Sequence, residues 1–219
     1  MLTFDHFIWG VPNLQEGMAY FEQLTGVRPV IGGSHPGRGT KNALVSFGDG
    51  TYLELMGPDP EQDSFAPARD RLPEIIASLD APSLLTVILR SNDLDALAAK
   101  AEKAGIEFHG PEAVSRQQPN GDVLSWRLGF TFDTGYGLLA PVYIDWQDCV
   151  HPSSTAPGGI ELLNIEMHHP EADALRRFYQ ALGVELTVRK ADRPGLQALI
   201  KAGDEEIVLS SHLNNKYFS

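Results

Sequence analysis

Three glycines set the frame of this chain. Gly26, Gly105 and Gly183 each close a run with helical periodicity, and the two intervals between them differ by one residue. One glycine at a helix end is commonplace, because it takes up the left-handed backbone that stops a helix. Recurrence at a constant spacing marks a repeated structural unit. The predicted helices run from Asn13 to Gly26, from Asn92 to Gly105 and from Pro170 to Gly183. In the first, Asn13 caps the backbone amides and Glu16 completes a capping box. Leu14, Met18, Phe21 and Leu24 share one helical face. Leu94, Leu97, Ala98 and Ala101 do the same in the second, and Leu175, Phe178 and Leu182 in the third, where Pro170 suits a first turn.

The flanks of the helices also repeat. A strand-like run precedes each one: Leu2 to Trp9, Leu84 to Leu89 and Ile160 to Met167. Three further strand candidates follow each one. After Gly26 they are Val27 to Ile31, Ala43 to Phe47 and Tyr52 to Met56. After Gly105 they are Ile106 to Phe108, Val123 to Phe132 and Val142 to Trp146. After Gly183 they are Val184 to Val188, Leu196 to Ile200 and Glu206 to Leu209. Turns such as Gly48-Asp49-Gly50 and Gly203-Asp204 join the last two strands of a set. The pattern is βαβββ three times, over residues 1–60, 83–148 and 160–212. Proline-rich and small-residue connectors fill 61–82 and 149–159, and a short helix is predicted within 72–79. A single βαβββ unit covers only one face of its sheet. The expected fold is therefore α+β, with units paired into a cup-shaped mixed sheet, helices outside and a ligand surface inside.

Composition narrows the class of partner. A net charge of -12 argues against nucleic acid and anionic membrane, both of which need a basic surface. Cys149 is the only cysteine, so no intrachain disulfide forms and a thiolate metal cluster is disfavoured. The first residues, Met1-Leu2-Thr3-Phe4-Asp5-His6, show no basic segment followed by an apolar run. No stretch approaches the ~20 apolar residues of a membrane-spanning helix. The cytoplasm is the expected compartment, a small molecule the expected partner, and a homodimer is compatible with the fold class. A serine hydrolase is a poor alternative, since no Gly-x-Ser-x-Gly elbow is present.

Several motifs carry a family resemblance. Phe4-Asp5-His6, Val11-Pro12-Asn13-Leu14, His35-Pro36-Gly37-Arg38-Gly39-Thr40-Lys41-Asn42 and Gly48-Asp49-Gly50-Thr51-Tyr52-Leu53-Glu54-Leu55 resemble the glyoxalase-like domain family of the vicinal oxygen chelate superfamily. Ile144-Asp145-Trp146 followed by His151-Pro152 is similar to a later part of it. The resemblance implies that each unit places one metal ligand on its first strand and one on its last. A divalent metal there would bind two neighbouring substrate oxygens. On this basis His6 and Glu54 are the metal-ligand candidates, for zinc, iron, nickel or manganese. Alternation puts Phe4, His6 and Ile8 on one face of their strand and Tyr52, Glu54 and Met56 on one face of theirs.

The other units supply no matching pair. Counting from the helix starts sets Thr86 opposite His6, and counting from the closing glycines sets Leu85 there. The third unit offers Leu163 and Leu209 and reads as packing. Asp145 is the candidate catalytic base or third ligand. His35, Arg38 and Asn42, on a glycine-rich loop that gathers positive charge in an acidic chain, are the candidate substrate-binding residues. Two functions remain open. One is a glyoxalase-like metalloenzyme, acting as lyase, isomerase or dioxygenase on adjacent oxygens. The other is a metal-free small-molecule binding or sequestering protein on the same fold. In the latter, His6 and Glu54 would simply bond to each other.

Overall fold

The computed structural model describes residues 1–62, 72–131 and 134–218. The first βαβββ set is β1 (Thr3–Gly10), α1 (Leu14–Thr25), β2 (Val30–His35), β3 (Thr40–Gly48) and β4 (Thr51–Pro58). A short helix, α2 (Leu72–Ala77), precedes the second set. That set is β5 (Ser83–Arg90), α3 (Leu94–Lys103), β6 (His109–Gln117), β7 (Val123–Phe130) and β8 (Val142–Asp145). The third is β9 (Ile160–His169), α4 (Ala172–Leu182), β10 (Thr187–Lys190), β11 (Gly195–Ala202) and β12 (Glu205–Ser210). No helix among the described residues is long and apolar enough to cross a membrane.

The local signals act as their chemistry dictates. Asn13 accepts hydrogen bonds from the amides of Gln15 and Glu16 and caps α1. Gly26, Gly105 and Gly183 all have φ between 70° and 78°, the left-handed region that ends a helix cheaply only with glycine. The last helix begins at Ala172, so Pro170 lies ahead of its first turn.

The first two sets close into one barrel in the order β1-β4-β3-β2-β6-β7-β8-β5. One seam is long: β1 and β5 pair antiparallel from Thr3↔Arg90 to Gly10↔Ser83. The other is a single pairing of β2 with β6 at Ser34↔Gln117. There the chains come so close that a Cβ on Gly33 would sit 1.8 Å from the Gln117 carbonyl oxygen. Within each half the first and last strands are parallel neighbours, β1 with β4 and β5 with β8.

Two apolar clusters follow from strand alternation. Phe7, Trp9, Leu53, Leu55, Val87 and Tyr143 face outward and pack with α1, α3 and α4. Ile8, Tyr52, Met56, Ile88, Trp126, Ile144 and Trp146 face the barrel interior, joined by Ile75 and Ile76 of α2.

The third set forms a separate four-stranded sheet in the order β10-β9-β11-β12. Its element order matches the other two, but its strand order does not. Here β10 lies parallel beside β9, and β11 separates β9 from β12. Leu163 and Leu209, the expected counterparts of His6 and Glu54, are thus on strands that do not touch. Leu209 is buried, whereas Leu163 is 38% exposed.

The second set also departs from expectation in one strand. Ile106 to Phe108 is not a strand, and β6 begins at His109. The predicted run to Phe132 ends at Phe130, and Phe132 lies outside the described residues.

Candidate ligand-binding site

The barrel encloses a cavity of about 430 Å³. Most of its wall is apolar, with Ile8, Met56, Ile88, Val114, Leu128, Ile144, Trp126 and Trp146 among the lining residues. One region is polar. His6 from β1 and Glu54 from β4 converge there because the two strands are adjacent, in a register that pairs His6 with Tyr52 and Ile8 with Glu54. His6 Nε2 lies 3.3 Å from Glu54 Oε2. The His6 ring stacks on Tyr52 with centroids 4.2 Å apart. Both side chains are buried and face the interior, as alternation along the strands requires.

The carboxylates of this group are met by N–H donors. Asp5 is fully buried and accepts from His6 Nδ1 at 2.6 Å, Arg90 Nε at 2.6 Å and Trp146 Nε1 at 3.1 Å, with His151 Nε2 also at 3.1 Å. Burial alone would raise its pKa, but bonds from His151 and His6 outweigh this and hold it well below the usual carboxylate range. Burial would depress His6, yet its bonds to Asp5 and Glu54 leave it raised above 6.5. Glu54 is likewise pushed up by burial and brought down to about 2, chiefly by His6. Its Oε1 accepts from Asn42 Nδ2 at 2.5 Å.

The three expected substrate-binding residues all line the cavity. They do not lie on one loop, however. His35 ends β2, Asn42 lies in β3, and only Arg38 belongs to the turn between them. His35 bonds Thr40 Oγ1 through Nδ1 at 2.9 Å and sets Nε2 3.8 Å from Glu54 Oε1. Burial lowers its pKa to about 4, so it is neutral at physiological pH. Arg38 pairs with Glu112 at 2.5 Å.

Asp145 is not brought into this group. It lies on the outer face of β8, where it pairs with Arg127 at 2.7 Å and accepts from the amide of Gln147. Its neighbours Ile144 and Trp146 are the residues that line the cavity.

Sequence reasoning missed Arg116 of β6, whose side chain lines the cavity and is only 4% exposed as a residue. It also missed Asp5, for which the adjacent His6 was the available signal. For Arg116 there was no signal, because β6 itself does not read as a strand.

The donor set does not fit a resident divalent metal. Structural and catalytic sites of imidazole and carboxylate use three or four protein ligands. Here His6 and Glu54 are bonded to each other, and a third donor, His35 Nε2, lies 3.8 Å from Glu54 Oε1. The interior positions of the second half carry Thr86 and Ile144 instead. No group of three His, Cys, Asp or Glu able to hold a metal exists among the described residues. The cation Arg116 also bonds Asn42, the residue that grips Glu54.

The fold recurs in solved structures. A hypothetical protein from Staphylococcus aureus superposes with a TM-score of 0.70 at 15% identity, over 97% of this chain and 89% of that one. A methylmalonyl-CoA epimerase from Mycobacterium tuberculosis gives 0.47 at 19% identity, over 65% and 86%. A hypothetical protein from Bacillus halodurans gives 0.48 at 12%, over 68% and 97%. At these identities the likeness is one of fold. No curated protein matches the chain. Residues 4–183, from β1 through α4, match the glyoxalase-like domain. With that match laid over a barrel of paired βαβββ units, the chain belongs to the glyoxalase-like domain family of the vicinal oxygen chelate superfamily.

Proposed function

We propose that the barrel interior binds a small, largely apolar molecule, with no resident metal. The observation that carries this reading is the cavity itself: about 430 Å³, mostly apolar in its lining, with a polar region in which His6, Glu54 and Asn42 are bonded to one another. Such a volume lies at the small end of ligand pockets. The polar region favours holding over turnover. Proton transfer at neutral pH needs a group poised near 7, and His35 and Glu54, near 4 and 2, lie away from it. His35, Arg38 and Asn42 would orient the bound molecule.

A second reading has one observation in its favour. The Asp5–His6 bond fixes the imidazole and turns Nε2 toward Glu54, the way metal-bound histidines are commonly held by a carboxylate behind them. On that reading the chain is a glyoxalase-like metalloenzyme, a lyase, isomerase or dioxygenase.

Trp126 and Trp146 line the cavity, so its filling reports in tryptophan emission. Metal content and a fluorescence titration against small aromatic and aliphatic compounds, on protein freed of any tag, separate the readings. Saturable quenching with no bound transition metal is the expected result. A stoichiometric transition metal that survives dialysis would favour the metalloenzyme.

A further inference from the structure

One buried cation of the interior, Arg116, has no carboxylate partner among the described residues. Arg116 is almost wholly buried. Its one hydrogen bond among the described residues runs from Nη1 to Asn42 Oδ1 at 3.3 Å, and Nε has no partner. No carboxylate among the described residues forms an ion pair with it, unlike the other arginines near the cavity. Arg38 is matched by Glu112 and Arg90 by Asp5. Lys41 is matched by Asp59. Asp5 is taken up by His6, Arg90 and His151, and Glu54 by His6 and Asn42, which leaves neither carboxylate to Arg116. His35 adds no charge when neutral.

A buried guanidinium without an anion is costly, and chains do not keep one without a counter-charge. The remaining edge of Arg116 borders the cavity. We infer that Arg116 binds the head group of a monoanionic ligand, a carboxylate, whose apolar body lies against Trp126, Leu128 and Ile144. The planar fork of guanidinium donors matches a carboxylate. A single unmatched charge suits a monoanion better than a phosphate dianion. Of the other cations that line the cavity, Arg38 is engaged by Glu112 and Lys216 by the Tyr217 ring. This assignment rests on the reading that the cavity holds a small molecule, and it names the class of that molecule.

The test compares phenylacetate with phenylacetamide, equal in shape and different in charge, by tryptophan fluorescence. Wild type should bind the acid at least about tenfold more tightly, the scale of a lost charge-assisted bond. Arg116→Met should abolish that preference, and Arg116→Lys should keep part of it. Ligand-free Arg116→Met should melt at the wild-type temperature or above, because an unmatched buried charge has been removed. Equal affinities for acid and amide in wild type would overturn the carboxylate assignment and leave the cavity reading standing. Binding of neither would overturn the cavity reading and the carboxylate assignment with it. A marked fall in the melting temperature of Arg116→Met would make Arg116 a structural residue and overturn the inference.

Discussion

The strands β1–β4 and β9–β12 start from the same order of elements and arrive at different sheets. In the first, the strand after the helix travels to the far edge, so the last strand settles parallel beside the first. In the other, β10 docks directly on β9, and β12 ends two places away. The consequence is chemical. His6 and Glu54 become neighbours at 3.3 Å, while Leu163 and Leu209 are held apart by β11. Adjacency of first and last strand, more than the order of elements, is what makes a site on this fold. The first arrangement also joins a second half into a closed barrel with an inside, whereas β9–β12 form an open four-stranded sheet.

The sharpest way to break that contrast is to remove what ties the barrel's polar region together. Asp5 accepts from β1, from Arg90 at the end of β5, from Trp146 after β8, and stands beside His151. Asp5→Ala would strand several buried donors at once. It should lower the unfolding free energy in urea by about 3–5 kcal/mol, the cost of breaking a buried ion pair from one side. No charge in the β9–β12 sheet is similarly enclosed; the pair Arg189–Glu166, for example, lies on an arginine 64% exposed. A loss as small as that of a surface pair would show that the Asp5 network is dispensable, and that the two regions differ less than their geometry implies.

Next in size is a test within the four-stranded sheet. Leu209 is 4% exposed and part of the outer core, so Leu209→Ala should cost about 2–5 kcal/mol. Leu163→Ala should cost much less, because its side chain already meets solvent. Neither should change the ligand affinity of the folded protein. Equal losses for the two leucines would contradict the register of β9 against β11. A selective loss of affinity would place this sheet in the binding site.

Smaller still is the coupling between His6 and Glu54. His6→Ala leaves Glu54 with Asn42 as its one hydrogen-bond partner among the described residues and should cost about 1–3 kcal/mol. A double-mutant cycle isolates the pair. Its pH dependence has a definite sign. The raised pKa of His6 means its contribution is complete below its ordinary value of 6.5 and fades as pH climbs through the folded value. Glu54, lowered from 4.5 to about 2, contributes fully above 4.5 and is lost as pH falls toward 2. The coupling should therefore be strongest between about pH 4.5 and 6.5. A coupling that vanishes with chelator would revive the metal reading, and one indifferent to chelator supports the paired side chains.

Much of this was legible in the chain because the signals were local. The closing glycines, the Asn13 cap and strand alternation depend on residues near in sequence, and they placed the helices and turned His6 and Glu54 inward. The gly-rich stretch from Gly32 to Asn42 was read as a loop, yet it is largely the β2–β3 hairpin, since glycines at the seam admit the close approach of β6. β6 was missed outright. Its sequence, His109-Gly-Pro-Glu-Ala-Val-Ser-Arg-Gln, lacks an apolar alternation because one of its inward positions is a charged residue, Arg116. The strand that hid from the pattern thus carries the buried cation that no described carboxylate pairs with. Strand order in the β9–β12 sheet was beyond reach for a different reason: it depends on which distant strand each one meets.

The smallest expected effect carries the inner-versus-outer contrast back to the barrel. Asp145 looked like a catalytic base because it falls between Ile144 and Trp146 at the end of a strand. Those two neighbours point inward, so alternation sends Asp145 outward. There its carboxylate meets Arg127, which is 29% exposed and shared with Asp95. Arg127 stays partly open to water and keeps Asp95 as a second partner, so the pair contributes modestly. Asp145→Asn keeps the side-chain oxygen that accepts from the Gln147 amide and removes only the charge. The melting temperature should barely move, and affinity for the cavity ligand should be unchanged. A selective loss of affinity in this variant, at wild-type stability, would mean that β8 presents Asp145 to the ligand after all. In that case the separation of a binding interior from a structural exterior, on which the comparison of the two sheets depends, would have to be redrawn at this strand.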